Sequence, residues 1–156
     1  SAQQRGRLGA SRPNIMVTGT PGTGKTELSR AIVASLEMMV HVSVGEVAKK
    51  VDAYDGWDEA RQCHILNDDA IVDELDPVVS RGGCVVDYHA CEIFPKRWFD
   101  LVLVVRAQTD VLYDRLEERR YSSDKIRENV ECEIYQVLLD EARESYPKEI
   151  VVEVQN

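Results

Sequence analysis

Residues 19–26 read Gly-Thr-Pro-Gly-Thr-Gly-Lys-Thr, and what surrounds them restricts the fold more than the letters do. Asn14-Ile15-Met16-Val17-Thr18 comes before, a short apolar run that suits a buried strand. Glu27 to Leu36 comes after, with apolar residues at Leu28, Ile32, Val33 and Leu36, which is helical spacing. Strand, glycine loop and helix form the context in which G-x-x-x-x-G-K-S/T wraps phosphate. The glycines let successive N–H groups turn inward, and the helix start adds partial positive charge. Pro21, Gly22, Thr23, Gly24, Lys25, Thr26 and Glu27 therefore read as a phosphate cradle. In that pattern, with ATP or ADP as the nucleotide, Lys25 reaches the β-phosphate and, in ATP, the γ-phosphate, and the Thr26 hydroxyl is placed to ligate Mg2+.

The 156 residues, 44% of them hydrophobic, suit one domain with a real core. We expect 13–156 to form it, and 1–12, polar with three arginines, to be a flexible tail. A net charge of −9 argues against tight, direct DNA binding through a broad basic face. It suits either a basic protein partner or an ordinary solvated surface. Cys63, Cys84, Cys91 and Cys132 form no C-x-x-C pair, and His41, His64 and His89 complete no zinc pattern. The thiols read as reduced. No stretch approaches the length of a membrane span, and we expect a monomer.

Four more apolar runs resemble the first: 39–44, 84–87, 101–105 and 150–154. Near-continuous apolar strands separated by helical patterns imply an α/β fold: a five-stranded parallel sheet between helical layers. Helices are expected at about 45–52, from Asn67 to Gly82 with a kink or restart at Pro77, at about 109–119, and as one long helix over 124–146. Apolar positions 126, 130, 134, 138 and 142 mark the last. Tyr54-Asp55-Gly56-Trp57-Asp58-Glu59 and the charged break at 117–123 read as solvated loops or mobile flaps.

Asp87 ends the 84–87 run, where a carboxylate beside a phosphate loop typically holds Mg2+ or its water. His89 follows on the next loop, either orienting a water or phosphate or acting as a structural hydrogen-bonder. Arg115, Arg119 and Arg120 cluster at the second flap, where arginine neutralises charge that builds during phosphoryl transfer. A base-reading N-K-x-D is absent, which argues against a regulatory GTPase.

Taken together, 14–26, Tyr54-Asp55-Gly56-Trp57-Asp58-Glu59, Val86-Asp87-Tyr88-His89 with Phe94-Pro95, Leu112 to Leu116 with Arg119 and Tyr121, and the segment from Glu133 to Tyr146 resemble the adenylate kinase isoenzyme 6 family. The resemblance covers about residues 13–154. It implies an adenylate kinase-like fold with a short lid at 118–128 and a monophosphate-binding region at 43–66. It implies AMP as acceptor near Gly45, Lys49, Asp87 and His89, with Arg119 on the triphosphate, and both kinase and ATPase activity. It further implies a role in small ribosomal subunit maturation through a basic small-subunit ribosomal protein, in nucleus and cytoplasm. Two positions depart from the family pattern. Lys49 stands where an arginine is common, keeping the charge without the planar fork, and Glu27 stands where a small hydroxyl residue often sits.

Overall fold

The apolar run before the glycine loop forms β1 (Ile15–Thr18), with every residue buried. The structure is a computed structural model and describes residues 12–60 and 63–156. The expected 1–12 tail, apart from Arg12, lies outside the described residues. Helix α1 (Lys25–Ser35) leaves the loop and returns to β2 (Val40–Ser43). There follow α2 (Val44–Val51), the hairpin β3 (Tyr54–Asp58) and β4 (Cys63–Leu66), and α3 (Asp68–Ser80). Then come β5 (Cys84–Asp87), β6 (Leu101–Arg106), α4 (Thr109–Glu118), α5 (Ser123–Ile134), α6 (Val137–Ser145) and β7 (Val151–Gln155).

The main sheet has the expected five strands, in the order β2-β5-β1-β6-β7, all paired in parallel. Burial on both faces explains the unbroken apolar run of β1 and that of β5 up to Asp87. On one face Met16, Val86, Val102 and Val104 pack with Ile71 and Leu75 of α3 and Leu139 and Ala142 of α6. On the other, Ile15, Val17, Val85 and Val105 pack against Leu28, Ile32 and Val33 of α1. Each fully buried Val or Leu contributes roughly 1.5–3 kcal/mol. A third cluster, Leu112, Leu116 and Ile126, joins α4 to α5. Buried Asn14 ties the strand ends together. Its Nδ2 donates to Val79 O and Trp98 O, and its Oδ1 accepts from Cys84 N.

Three expectations are corrected. Residues 54–58 are a strand, not a loop: β3 pairs antiparallel with β4, and Tyr54, Trp57 and His64 pack as a ring cluster across the hairpin. Of the two alternatives at Pro77, a kink or a restart, the restart does not occur: one helix, α3, runs through it. The long helix over 124–146 is two, because Gln136 takes a left-handed conformation at φ 58° and turns the chain between α5 and α6.

Candidate nucleotide-binding site

The loop 19–26 connects the C-terminal end of β1 to α1, so its position follows from the centre of the sheet. Its turn is closed by Thr23, whose N and Oγ1 both donate to Thr20 O, at 3.2 and 2.8 Å. Gly24 (φ 102°) caps α1 in a left-handed conformation, with no side chain bonded to the helix start. The first-turn N–H groups thus remain available to an anion. Gly22 (φ 92°) lies against Leu112 and Leu116, where a Cβ would meet Leu112 Cδ1 at 2.9 Å. The loop therefore rests on α4 as well as on the sheet.

Lys25 Nζ donates to Thr20 O at 3.2 Å, folded back over its own loop. Burial lowers its pKa to about 8, an effect opposed by Asp87, reinforced by Arg119 and opposed by Glu133. Asp87, 6% exposed at the end of β5, accepts from the Thr26 hydroxyl at 2.8 Å. Register Val17↔Asp87 brings this carboxylate beside the loop. A hydroxyl and a buried carboxylate meeting at hydrogen-bond distance form a hard-oxygen donor set of the kind Mg2+ takes. Thr26 and Asp87 are the residues that could hold it.

Arg115 Nη1 donates to Gly22 O at 3.2 Å, so this arginine lies across the loop. Arg119 is exposed at the C-terminal end of α4, close enough to depress the Lys25 pKa. The 118–128 region is a tight corner between α4 and α5, capped by Ser122 Oγ accepting from Lys125 N. Glu27 is exposed on the first turn of α1, and Pro21 is half-buried in the loop.

A cleft of about 330 Å3 opens beside the loop. Lys25, Thr26, Asp87 and His89 line it together with Gly45 and Lys49 of α2, and with Tyr54 and His64 of the hairpin. All four residues expected around the acceptor, Gly45, Lys49, Asp87 and His89, therefore share one cavity with the phosphate loop. Crowding by the cleft, and then the Lys25 ammonium, hold the His89 pKa down to about 4, so its ring is neutral at pH 7. The ring still reaches solvent through the mouth of the cleft, which moderates that depression.

Two residues of the site escaped sequence reasoning. His41 on β2 lies 3.2 Å from Asp87 Oδ2 through its Nε2. Glu133, 2% exposed, accepts from Thr20 Oγ1 at 3.2 Å, Arg106 Nε at 3.1 Å and Ala107 N at 2.8 Å, bracing the loop from behind. Glutamate on an amphipathic helix gives no signal of burial, and a histidine on an edge strand gives none of its diagonal neighbour.

The AAA domain family model matches residues 15–136. A Dictyostelium discoideum protein named adenylate kinase isoenzyme 6 homolog is 52% identical over 144 residues, covering 92% of this chain and 82% of that one. This chain belongs to the adenylate kinase isoenzyme 6 family. A Caenorhabditis elegans homolog of the same name is 48% identical, covering 93% of this chain and 80% of its own length. The shikimate kinase of Acinetobacter baumannii, solved with shikimate, superposes with a TM-score of 0.61 at 16% identity, over 97% of this chain and 88% of that one. That likeness concerns the P-loop kinase fold alone. The family assignment and the fold together make the chain a nucleotide-binding P-loop protein of the nucleotide kinase and ATPase class. Among the described residues, no helix is long and apolar enough to cross a membrane.

Proposed function

We propose that this chain transfers the γ-phosphoryl group of ATP to AMP, giving two ADP, with hydrolysis of ATP as a slower branch. The observation that carries the reading is the single cleft shared by Lys25, Thr26 and Asp87 with Gly45 and Lys49. Two ammonium groups line one cavity beside the phosphate loop, as a donor and an acceptor phosphate require. The donor triphosphate occupies 19–26, and the AMP phosphate lies toward Lys49 within the 43–66 region. A phosphate oxygen of AMP attacks the γ-phosphorus, and the bond to the β,γ-bridging oxygen breaks, leaving ADP. No general base is needed, because the acceptor is already ionised. Thr26, and Asp87 indirectly, would hold Mg2+, which would neutralise charge on the phosphates. Lys25, Arg115 and Arg119 face the same developing charge, with Arg119 carried on the 118–128 lid. Neutral His89 suits the positioning of a water in the hydrolytic branch.

The test is ADP formation from ATP with and without AMP, repeated with CMP, UMP and GMP. The reading expects strong stimulation by AMP and two ADP per ATP consumed. ADP formation indifferent to every monophosphate would leave a hydrolase and remove the kinase reading.

A second reading, an assembly ATPase that grips a basic small-subunit ribosomal protein in nucleus or cytoplasm, draws on the exposed Asp55, Gly56 and Trp57 of the hairpin and on the net charge of −9. Calorimetry across salt, with and without AMP, separates the two. An electrostatic partner sharing the cleft binds more weakly in salt and competes with AMP.

A further inference from the structure

Asp87 Oδ2 takes two donors from two different elements. Thr26 Oγ1 reaches it at 2.8 Å from α1, and His41 Nε2 at 3.2 Å from β2. We propose that His41 is a positioning residue that holds the Asp87 carboxylate in the orientation the metal-bound nucleotide needs. The inference rests on the nucleotide and metal reading of this site.

The placement follows from the sheet. Register pairs Ser43 with Asp87 and His41 with Val85, so His41 stands one pleat before the residue opposite the carboxylate and on the same face. Ile15 and Val17 also alternate with Met16 across the sheet, which fixes the face Asp87 presents. A carboxylate oxygen accepts, so the 3.2 Å contact is a hydrogen bond with Nε2 as its donor in the tautomer that carries the proton there. Asp87 is buried and His41 only partly so, with 5% and 19% of their side chains exposed. The bond is thus shielded at its carboxylate end.

The two donors differ in what they can do when metal is present. Thr26 would itself be a donor oxygen for Mg2+, so its hydroxyl would serve both carboxylate and ion. His41 has no such second duty at this position. It can keep its bond to Oδ2 throughout, and so preserve the aim of the carboxylate. Hydrogen bonds to metal-binding carboxylates act in this way, and their loss typically weakens metal affinity roughly 10- to 100-fold. His41 also lies on the strand that leads directly into α2, which carries Gly45 and Lys49. The wall of the acceptor cleft and the carboxylate are therefore linked through one strand.

The probe is Mn2+, an oxygen-seeking ion read directly by its electron paramagnetic resonance, titrated into the full chain with ADP. Three proteins are compared: unmodified, His41→Ala and His41→Gln, the glutamine retaining an N–H donor of similar reach. For His41→Ala the expected result is roughly 10- to 100-fold weaker Mn2+ binding in the ADP complex, with metal-free ADP affinity within about twofold. His41→Gln should recover most of the loss. Thermal melting confirms that both variants fold. Unchanged Mn2+ affinity in His41→Ala overturns the proposal while leaving the site reading intact. An equal loss of metal-free ADP affinity, or a glutamine no better than alanine, overturns it as well. If the unmodified protein binds no Mn2+ with ADP, the site reading and the proposal fall together.

Discussion

Replacing Lys25 with methionine should stabilise the nucleotide-free protein while destroying triphosphate binding. The Lys25 ammonium is held in a half-buried position that lowers its pKa from 10.5 to about 8. At about 1.4 kcal/mol per pH unit that is about 3 kcal/mol of unfavourable charge burial, reduced to about 2 kcal/mol by solvent contact. The substitution also removes the 3.2 Å bond to Thr20 O, worth about 1 kcal/mol. That carbonyl keeps two donors from Thr23, so it is not stranded. The net expectation is a gain of about 1 kcal/mol, or a melting temperature higher by roughly 2–4 °C in a chain of this size. The pH dependence has a definite sign. Below pH 8 the lysine is charged in both folded and unfolded chains, and the penalty is fully present. Between about 8 and 10.5 the folded chain sheds its proton while the unfolded chain keeps it, so the unmodified protein gains stability and the difference shrinks. Scanning calorimetry without nucleotide at pH 7 and pH 9.5 measures this, and ATP titration reports a loss of a hundredfold or more in affinity. A mutant no more stable than the parent at pH 7, or a gap that fails to narrow at pH 9.5, would refute the reasoning.

Two further outcomes follow from the same geometry. Glu133→Ala leaves the Ala107 N–H without a partner and takes one of the two carboxylates from Arg106, which keeps Glu153, so it should destabilise by about 2 kcal/mol, read as a drop in denaturant midpoint. Asp87→Asn preserves the shape at the end of β5 but removes the charge facing Thr26. It should cut Mg2+-dependent ADP formation on the order of a hundredfold with little change in melting temperature, and near-parental turnover would contradict the assigned metal residue.

The strands and the phosphate loop were legible because double-sided burial writes itself as unbroken apolar sequence, and the glycine loop needs residues that few other structures need. The hairpin was not. Tyr54 to Asp58 carries no apolar continuity; its strand exists through pairing with Cys63–Leu66 and through rings stacked across it, which one segment alone does not display. The break at Gln136 did leave a trace. A repeat of four drifts by about 40° per step on a helix of 3.6 residues per turn, so 126 to 142 covers about 160° and cannot keep one face on one core. The structure resolves that conflict: Ile126 packs with α4, Ile134 is 55% exposed, and Leu139 and Ala142 pack under the sheet. Of the site, Lys25, Thr26 and Asp87 were readable from their place after strands. Glu133 and His41 were not, because their partners come from other strands and helices.

The pairing Val17↔Asp87 has a consequence for how the chain matures. A slip of one residue between β1 and β5 would turn Asp87 to the opposite face of the sheet, away from Thr26. Loop and carboxylate therefore meet only in the correct zipper of strands far apart in sequence, and a misaligned intermediate presents no complete site. Bound nucleotide with its metal would then favour the native alignment alone, by about 2.7 kcal/mol at a hundredfold excess over its dissociation constant. Refolding with nucleotide and metal should therefore give a higher yield of correctly aligned chain than refolding without them.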